Sequence, residues 1–417
     1  MADRQSAVEG MELMREKCLL LFPRPLYPQL SGYAMKSKNL VLILSEKYDL
    51  TVALLSDHGI DTDEQEFYRS VHAKWICFRI PKWRSYLHCF LGLFSRRPLQ
   101  VSYYYSRTFQ KKVDELSENA DVLISVLVRT RQYFMGKEKE KPVIFDMTDS
   151  IALNYERSRR NTKSFFWRMI YGVEGKRLER YERECIEKSA VTYLLNRKEY
   201  EYWSPFGNVR LLPHGVNEVL RGYDRKDSRF SGSVVFMGKM DYQPNVDAAL
   251  WYMKNVQPLT GKRIPLLIVG ANPARELYAA AASAGNTTIT GFVDDPYVYA
   301  ASSLAVIAPM QTGGGIQNKV LEGMALGKVN IVTSLAAEPI TEAKDGVNLL
   351  VAGRPEEYVR ILNDMADHAG TRDETDMKYK RIGSAASELI WGKYTWKTYG
   401  EAFIKGIEET GRKEADA

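Results

Sequence analysis

The chain has 417 residues, 45% of them hydrophobic and 26% charged, with a formal net charge of +6. At roughly 100–200 residues per domain that length implies two or three domains, and so ordinary a composition excludes a disordered tail, a collagen or a coiled coil. The four cysteines (Cys18, Cys77, Cys89, Cys185) are scattered, with no C-x-x-C pair and no histidine at metal spacing. That excludes a disulfide scaffold and a zinc site, and fits thiols in a reducing compartment.

The charge is unevenly placed. Residues 1–213 carry 35 Lys/Arg against 27 Asp/Glu, whereas residues 214–417 carry 23 against 25. A basic half asks for an anionic partner: a phosphorylated substrate, an anionic lipid surface or nucleic acid. Because no zinc finger, RRM signature or basic helix-turn-helix pattern is present, no nucleic-acid partner is expected. No run reaches the ~20 apolar residues of a membrane span. The charged start, MADRQSAVEGMELMREK, has no secretory core, so the expected address is the cytoplasm.

In chain order, the apolar run 18–22 reads as a buried parallel strand. A Pro/Gly-rich turn follows over 23–33, then a helix over 34–47 and a strand over 50–55, which together make a βαβ unit. Further strands are predicted over 121–126, 142–145 and 191–195, with a long charged helix over 165–188. After a polar boundary within 212–232 the alternation restarts. Strands are predicted over 234–236, 265–269, 287–290, 304–307 and 329–332. Helices are predicted over 245–256, 274–284, 295–301 and 316–326. Such alternation implies parallel sheets with right-handed crossovers. The fold class is therefore α/β: two tandem Rossmann-like, doubly wound domains facing across a cleft, with ligands at the carboxyl ends of the strands.

The most informative stretch is residues 308–327, APMQTGGGIQNKVLEGMALG. A strand ends, Gly313, Gly314 and Gly315 follow, and a helix begins. Glycines let a ligand approach the backbone, and a helix N-terminus offers free N–H groups to an anion such as a diphosphate. Lys319 and Glu322 are three residues apart and share a helix face. A surface ion pair on an ordinary strand–turn–helix would read the same way.

Residues 315–325 resemble the G-I-Q-N-K-V-L-E-A-M-A pattern of GT-B glycosyltransferases of family four, in particular bacterial exopolysaccharide sugar transferases, with Gly323 in place of an alanine. Residues 235–246 are similar to that family's F-x-G-x-x-x-Y-x-P-N-V, 267–273 to its I-V-G-x-x-P, and 290–296 to the segment beside the base. Residues 345–351 and Tyr394-Thr-Trp396 also fit. The first half fits more loosely, through Pro28 to Gly32 and Asp146-Met-Thr-Asp-Ser150. The resemblance implies an acceptor-binding domain over 1–212, a nucleotide-sugar-binding domain over 213–385 and a helix over 386–417 that crosses back to the first domain. It implies hexosyl transfer, with retention of configuration, from a nucleotide-diphosphate-sugar donor to a glycan or polyprenyl-linked acceptor in cell-surface polysaccharide or glycoconjugate assembly. No metal or other cofactor is expected.

The same resemblance assigns Glu322 to the ribose hydroxyls and Lys319 and Lys239 to the diphosphate. It sets Gly238, Gly313, Gly314, Gly315 and, in the other domain, Gly32 where backbone approaches the donor, and gives Val293 to the base. Lys239 and Lys319 would stabilise the leaving diphosphate, and Asp149 would contact sugar or acceptor as a third catalytic candidate. Two departures stand out: the first glutamate of the family's E-x7-E is Gly314, and a common lysine is Asn245. Two rivals remain open, a sugar-nucleotide 2-epimerase of the same fold and a non-catalytic nucleotide-sugar-binding protein. Asp61-Thr-Asp63 reads as a solvated acidic turn. The basic-aromatic stretches 82–97 and 157–188 suit an anionic membrane surface, or else a core face with wet charges.

Overall fold

The computed structural model describes residues 15–27, 32–58, 62–162, 164–260, 263–313 and 315–415. They form two compact units, one of residues up to Leu212 together with those from Gly400 on, the other Pro213–Tyr399.

The first unit holds a parallel sheet of β1 (Lys17–Phe22), β2 (Asp49–Ser56), β3 (Lys74–Arg79), β4 (Val122–Val126), β5 (Val143–Thr148), β6 (Val191–Leu194) and β7 (Val209–Leu211), in the order β3-β2-β1-β4-β5-β6-β7. Strands β1, β4 and β6 are buried at almost every position, because helices cover both faces of the sheet. Their apolar runs are the ones legible in the sequence. Edge strand β3, KWICFR, is only half-buried, and β7 has three residues. Neither was predicted, since short or charged edges leave little pattern.

The second unit repeats the design with β8 (Val234–Met237), β9 (Leu266–Val269), β10 (Thr287–Gly291), β11 (Ala305–Ala308), β12 (Asn330–Val332) and β13 (Leu350–Val351), ordered β10-β9-β8-β11-β12-β13 and parallel. In both sheets the strand order reverses beside the first strand, between β1 and β4 and between β8 and β11. At such a switch point the flanking loops part and leave room for a ligand. The doubly wound α/β class read from the sequence is the one observed.

The second unit runs on through the helix Glu374–Lys393, so residues 386–399 lie within it. From Gly400 on, the helix Trp396–Ala415 belongs to the first unit. There the Phe403 ring stacks on Tyr193 at 4.5 Å and the Tyr193 hydroxyl donates to the Phe403 carbonyl at 2.9 Å. Arg210 pairs with Glu409 at 2.6 Å.

Pro28, Asp61 and Gly314 lie outside the described residues. Thr62 and Asp63 open a helix, Thr62–Arg69, rather than a loop. The Glu64 carboxylate beside them is buried and accepts from the Tyr68 hydroxyl at 2.6 Å.

Candidate donor and acceptor sites

In the second unit the switch point is flanked by the end of β8, which runs into Gly238, and by the loop from β11 to the helix Asn318–Ala325. No side chain caps the N-terminus of that helix. Lys319, its second residue, is 7% exposed. Its ammonium donates to Asn245 Oδ1 and Gln317 Oε1, both at 3.0 Å, lies 3.9 Å from Met310 Sδ and sits 5.3 Å above the Phe236 ring. Among the described residues no carboxylate comes within ion-pair distance of it. Burial pushes the amine down to about 8, and the charge of Glu322 opposes this. A buried cation with only neutral acceptors is costly unless an anion arrives to match it.

Glu322 lies one turn on. Burial raises its carboxyl to about 7, against the pull of Lys319, and the Tyr297 hydroxyl donates to it at 3.4 Å. The backbone N–H of Tyr297 donates to Asp295 at 3.1 Å. Asp295 also accepts from Tyr223 and Arg225 at 2.7 and 2.6 Å. This chain of bonds fixes the segment after β10 against the helix that carries Glu322.

Gly238 explains why Asn245 and Lys319 can meet. It has φ +148°, and a Cβ there would lie 2.7 Å from Asn245 Nδ2 and 3.3 Å from Lys319 Cε. Asn245 Nδ2 donates to the Lys239 carbonyl at 2.9 Å. Thus Asn245, standing where the family pattern has a lysine, supplies no second charge and instead aims Lys319. Gly313 joins the same cluster at φ +100°, with its Cβ direction 3.3 Å from Pro244. Gly315 has φ +78° and open space beside it.

The remaining candidates of this unit are placed differently. The Lys239 side chain is half exposed and pairs with Asp241 at 3.1 Å, so only its backbone belongs to the cluster. Val293 packs its side chain toward the core around Val235 and Met237, while Phe292 beside it is exposed. Gln317 and Tyr297 were missed in the sequence. Gln317 sits inside the recognised motif and could have been found there, but Tyr297 is joined to Glu322 only by folding.

Gly32 and Asp149 belong to the first unit. Gly32 opens the helix Gly32–Lys47 and is exposed. Asp149 follows β5 and accepts from Asn154 at 3.0 Å. Asp146 is a buried ion-pair partner: Lys36 donates to its two oxygens at 2.6 and 2.5 Å and to Thr148 Oγ1 at 2.9 Å. Lys36→Met would strand that carboxylate in the core. The expected cost is about 3 kcal/mol in urea unfolding, largely recovered by adding Asp146→Leu. An unchanged midpoint in the single variant would show that the pair carries no stability.

Strain gathers at the ends of the same strands. Leu127 after β4 has φ +63° and Thr148 at the end of β5 has φ +67°. Side-chain-bearing residues in the left-handed region cost about 1–3 kcal/mol each, and such residues cluster where function needs them. Nearby, a cavity of about 300 Å³ opens at the carboxyl ends of β1 and β2, lined by Arg24, Tyr27, Ser56, Asp57, His58, Tyr103 and Tyr104 among others. None of these seven was singled out in the sequence. Among the described residues no group of three or more His, Cys, Asp or Glu is arranged to hold a metal, and no helix is long and apolar enough to cross a membrane.

Residues 231–368 match the family of glycosyl transferases group 1. The matched stretch lies within the second unit. Solved structures share the whole architecture, which is the GT-B glycosyltransferase fold. HepE of Anabaena, in complex with UDP, aligns over 94% of this chain and 100% of its own, with a TM-score of 0.66 at 12% identity. Sucrose-phosphate synthase of Thermosynechococcus elongatus aligns over 95% and 99%, with a TM-score of 0.65 at 12% identity. A glycosyltransferase of Rickettsia africae aligns over 95% and 98%, with a TM-score of 0.65 at 10% identity. No curated protein matches the sequence significantly.

Proposed function

We propose that the protein transfers a hexosyl group, with retention of configuration, from a nucleotide-diphosphate sugar to a glycan or lipid-linked glycan acceptor in cell-surface polysaccharide or glycoconjugate assembly, working at the inner face of the membrane. The observation that carries this reading is Lys319, a buried ammonium without a carboxylate partner among the described residues, at the uncapped start of a helix beside a sheet switch point. A diphosphate is the anion that fits such a place. Glu322 would hold the ribose hydroxyls, and HepE has been seen with UDP and with UDP-glucose.

In this reading the glycosidic C–O bond to the diphosphate breaks and a C–O bond to the acceptor hydroxyl forms. The proton of the acceptor hydroxyl passes to the departing diphosphate oxygen. Lys319 and the helix N–H groups stabilise the departing charge, which is where electrostatic preorganisation has most effect. Lys239 would join them by leaving Asp241. Gly32 would give its backbone to the donor, and Asp149, with the cavity at β1 and β2, would contact the sugar or the acceptor. No metal is needed for this division of labour.

The experiment is thermal melting of the purified chain against UDP, GDP, ADP, TDP and CMP and their sugars, since a ligand that binds only the folded state raises the melting temperature. One stabilising nucleotide diphosphate, followed by release of it in the presence of acceptor, supports the reading. No shift with any of them, even with a lipid-linked acceptor present, ends it.

The pH dependence follows from the same two groups. Below about 7 Glu322 takes a proton and loses its acceptor strength; above about 8 Lys319 loses the charge that meets the diphosphate. Affinity for the stabilising nucleotide should therefore peak between these values and fall up to ~10-fold per pH unit on the alkaline side. Titration calorimetry from pH 6 to 9.5 checks it. Lys319→Arg should flatten the alkaline limb, because a guanidinium stays charged. A flat wild-type profile would contradict the assignment.

A further inference from the structure

The helix Lys82–Gly92 is built inside out. The seam turned toward the unit is Ser85, His88, Cys89 and Gly92, at the i, i+3, i+4, i+7 spacing of a packed face. A Cβ on Gly92 would lie 2.9 Å from Ser102 Oγ, Cys89 Sγ donates to the Leu99 carbonyl at 3.5 Å, and the His88 ring meets Tyr105 edge-on. Its bulky apolar residues point outward. Trp83, Tyr86, Phe90 and Phe94 are 62%, 64%, 59% and 82% exposed. The core-face reading of this stretch is thereby excluded.

A second exposed apolar group lies at the start of the helix Phe165–Glu187, where every residue from Phe165 to Met169 is exposed. The segment that follows the first of these helices is bonded to the second. Arg177 of the longer helix donates to the Leu93 carbonyl at 3.1 Å, and Glu174 accepts from the Leu99 N–H at 2.7 Å. Phe165 precedes Glu174 by nine residues, about 14 Å of helix. Patches this large on a single chain mark an interaction site.

Charge selects the partner. Residues 82–97 and 157–173 together contain nine Lys/Arg and no Asp or Glu. Four of these cations, Lys82, Arg157, Arg159 and Arg160, pair with Asp57, Glu199 and Glu156 from outside the two stretches. Yet exposed aromatics flanked by this excess of cations suit a bilayer with anionic headgroups, in which the rings enter the interface and cations such as Arg84 and Arg96 meet phosphate. A second copy of this chain would bring like charge against like charge.

We propose that the Lys82–Gly92 helix, the turn after it and the first turns of the Phe165–Glu187 helix form the surface by which this protein docks on an anionic membrane. The cavity at β1 and β2 shares Ser85, Tyr103 and Asp57 with this region: Ser85 is on the docking helix, Tyr86 packs on Tyr103 at 5.8 Å, and Lys82 pairs with Asp57 at 3.2 Å. A lipid-linked acceptor would thus meet the cavity directly from the bilayer. That last step rests on the transferase reading, whereas the docking surface does not.

The test is flotation of the full chain with phosphatidylcholine vesicles and with vesicles holding phosphatidylglycerol. The wild type is expected to float only with the anionic vesicles, and to be released as salt rises. Phe90→Ser with Phe94→Ser, Phe165→Ser with Phe166→Ser, and Arg84→Glu with Arg96→Glu should each reduce the bound fraction at least tenfold. All six side chains are exposed, so melting temperature and its shift with the stabilising nucleotide should stay at wild-type values. Wild type that stays with the unbound fraction, or variants that float like wild type, would overturn the proposal. So would a wild-type dimer in light scattering that the aromatic variants dissociate without any change in vesicle binding. Vesicle binding without any nucleotide shift would leave the surface standing and remove the transferase reading instead.

Discussion

Lys319→Met is expected to abolish the thermal shift given by the stabilising nucleotide diphosphate while raising the melting temperature of the free protein. The two effects have one cause. In the free protein the ammonium is buried on neutral acceptors and above an aromatic ring. A thioether of similar length beside Met310 and Phe236 removes that desolvation cost, by about 1 kcal/mol, or ~2–4 °C for a unit of this size. With ligand present the same change removes a charge-assisted contact to phosphate, about 1.5–3 kcal/mol, or 10- to 100-fold in affinity. Adding Glu322→Ala should weaken binding by a further ~10-fold. A lysine kept only for stability would behave oppositely, with a lower melting temperature and an intact shift. An intact shift in Lys319→Met would remove this residue from the donor site.

Gly270→Ala is expected to unfold or nearly unfold the second unit. Gly270 ends β9 with φ +149°, a Cβ there would fall 1.8 Å from the Gly238 carbonyl oxygen, and that oxygen belongs to backbone. No side-chain rotation relieves such an overlap. Either strand end must move, and with it Gly238, Asn245 and Lys319. A loss on the order of 5 kcal/mol follows from combined overlap and backbone strain, read as a shifted denaturation midpoint with loss of nucleotide binding. Gly285→Ala is the control. It has φ +75° at the end of the helix Arg275–Ala284, with no atom within 4 Å of its Cβ direction. Only the left-handed backbone penalty applies there, about 1–2 kcal/mol. Equal effects in the two variants would show that close packing of the two strand ends is not what Gly270 provides.

How much of this was legible beforehand depends on the kind of signal each residue leaves. The helix Asn318–Ala325 was predicted over 316–326 and Phe165–Glu187 over 165–188. Apolar spacing and the glycines before the first of them are local features. Lys319 and Glu322 were placed on one helix face, and both face the switch point. Lys239 was assigned by its position after Gly238, but its side chain turns to Asp241. The pattern locates a backbone position and cannot say which neighbour a flexible side chain will meet. Nothing local in the sequence separates Asp146 from Asp149. Lys36, 110 residues from Asp146, takes the first and leaves the second at the strand end.

The exposed aromatics are the clearest case of a choice that periodicity could not make. Trp83, Tyr86, Phe90 and Phe94 recur at helical spacing whether they face a core or a membrane. What decides is the opposite seam, Ser85, His88, Cys89 and Gly92, small enough to lie against Leu99, Ser102 and Tyr105.

By itself, then, the sequence determined the two α/β arrays, the glycine loop before a helix, and the Lys/Glu pair on that helix, because these depend on residues within a turn or two of each other. Only the tertiary structure decided the environment of each charge. Whether an ammonium meets a carboxylate, an amide or nothing anionic is set by side chains brought together from distant segments, as Asn245 and Lys319 are, 74 residues apart. That environment fixes the protonation state and the affinity for an anion, and no local pattern carries it.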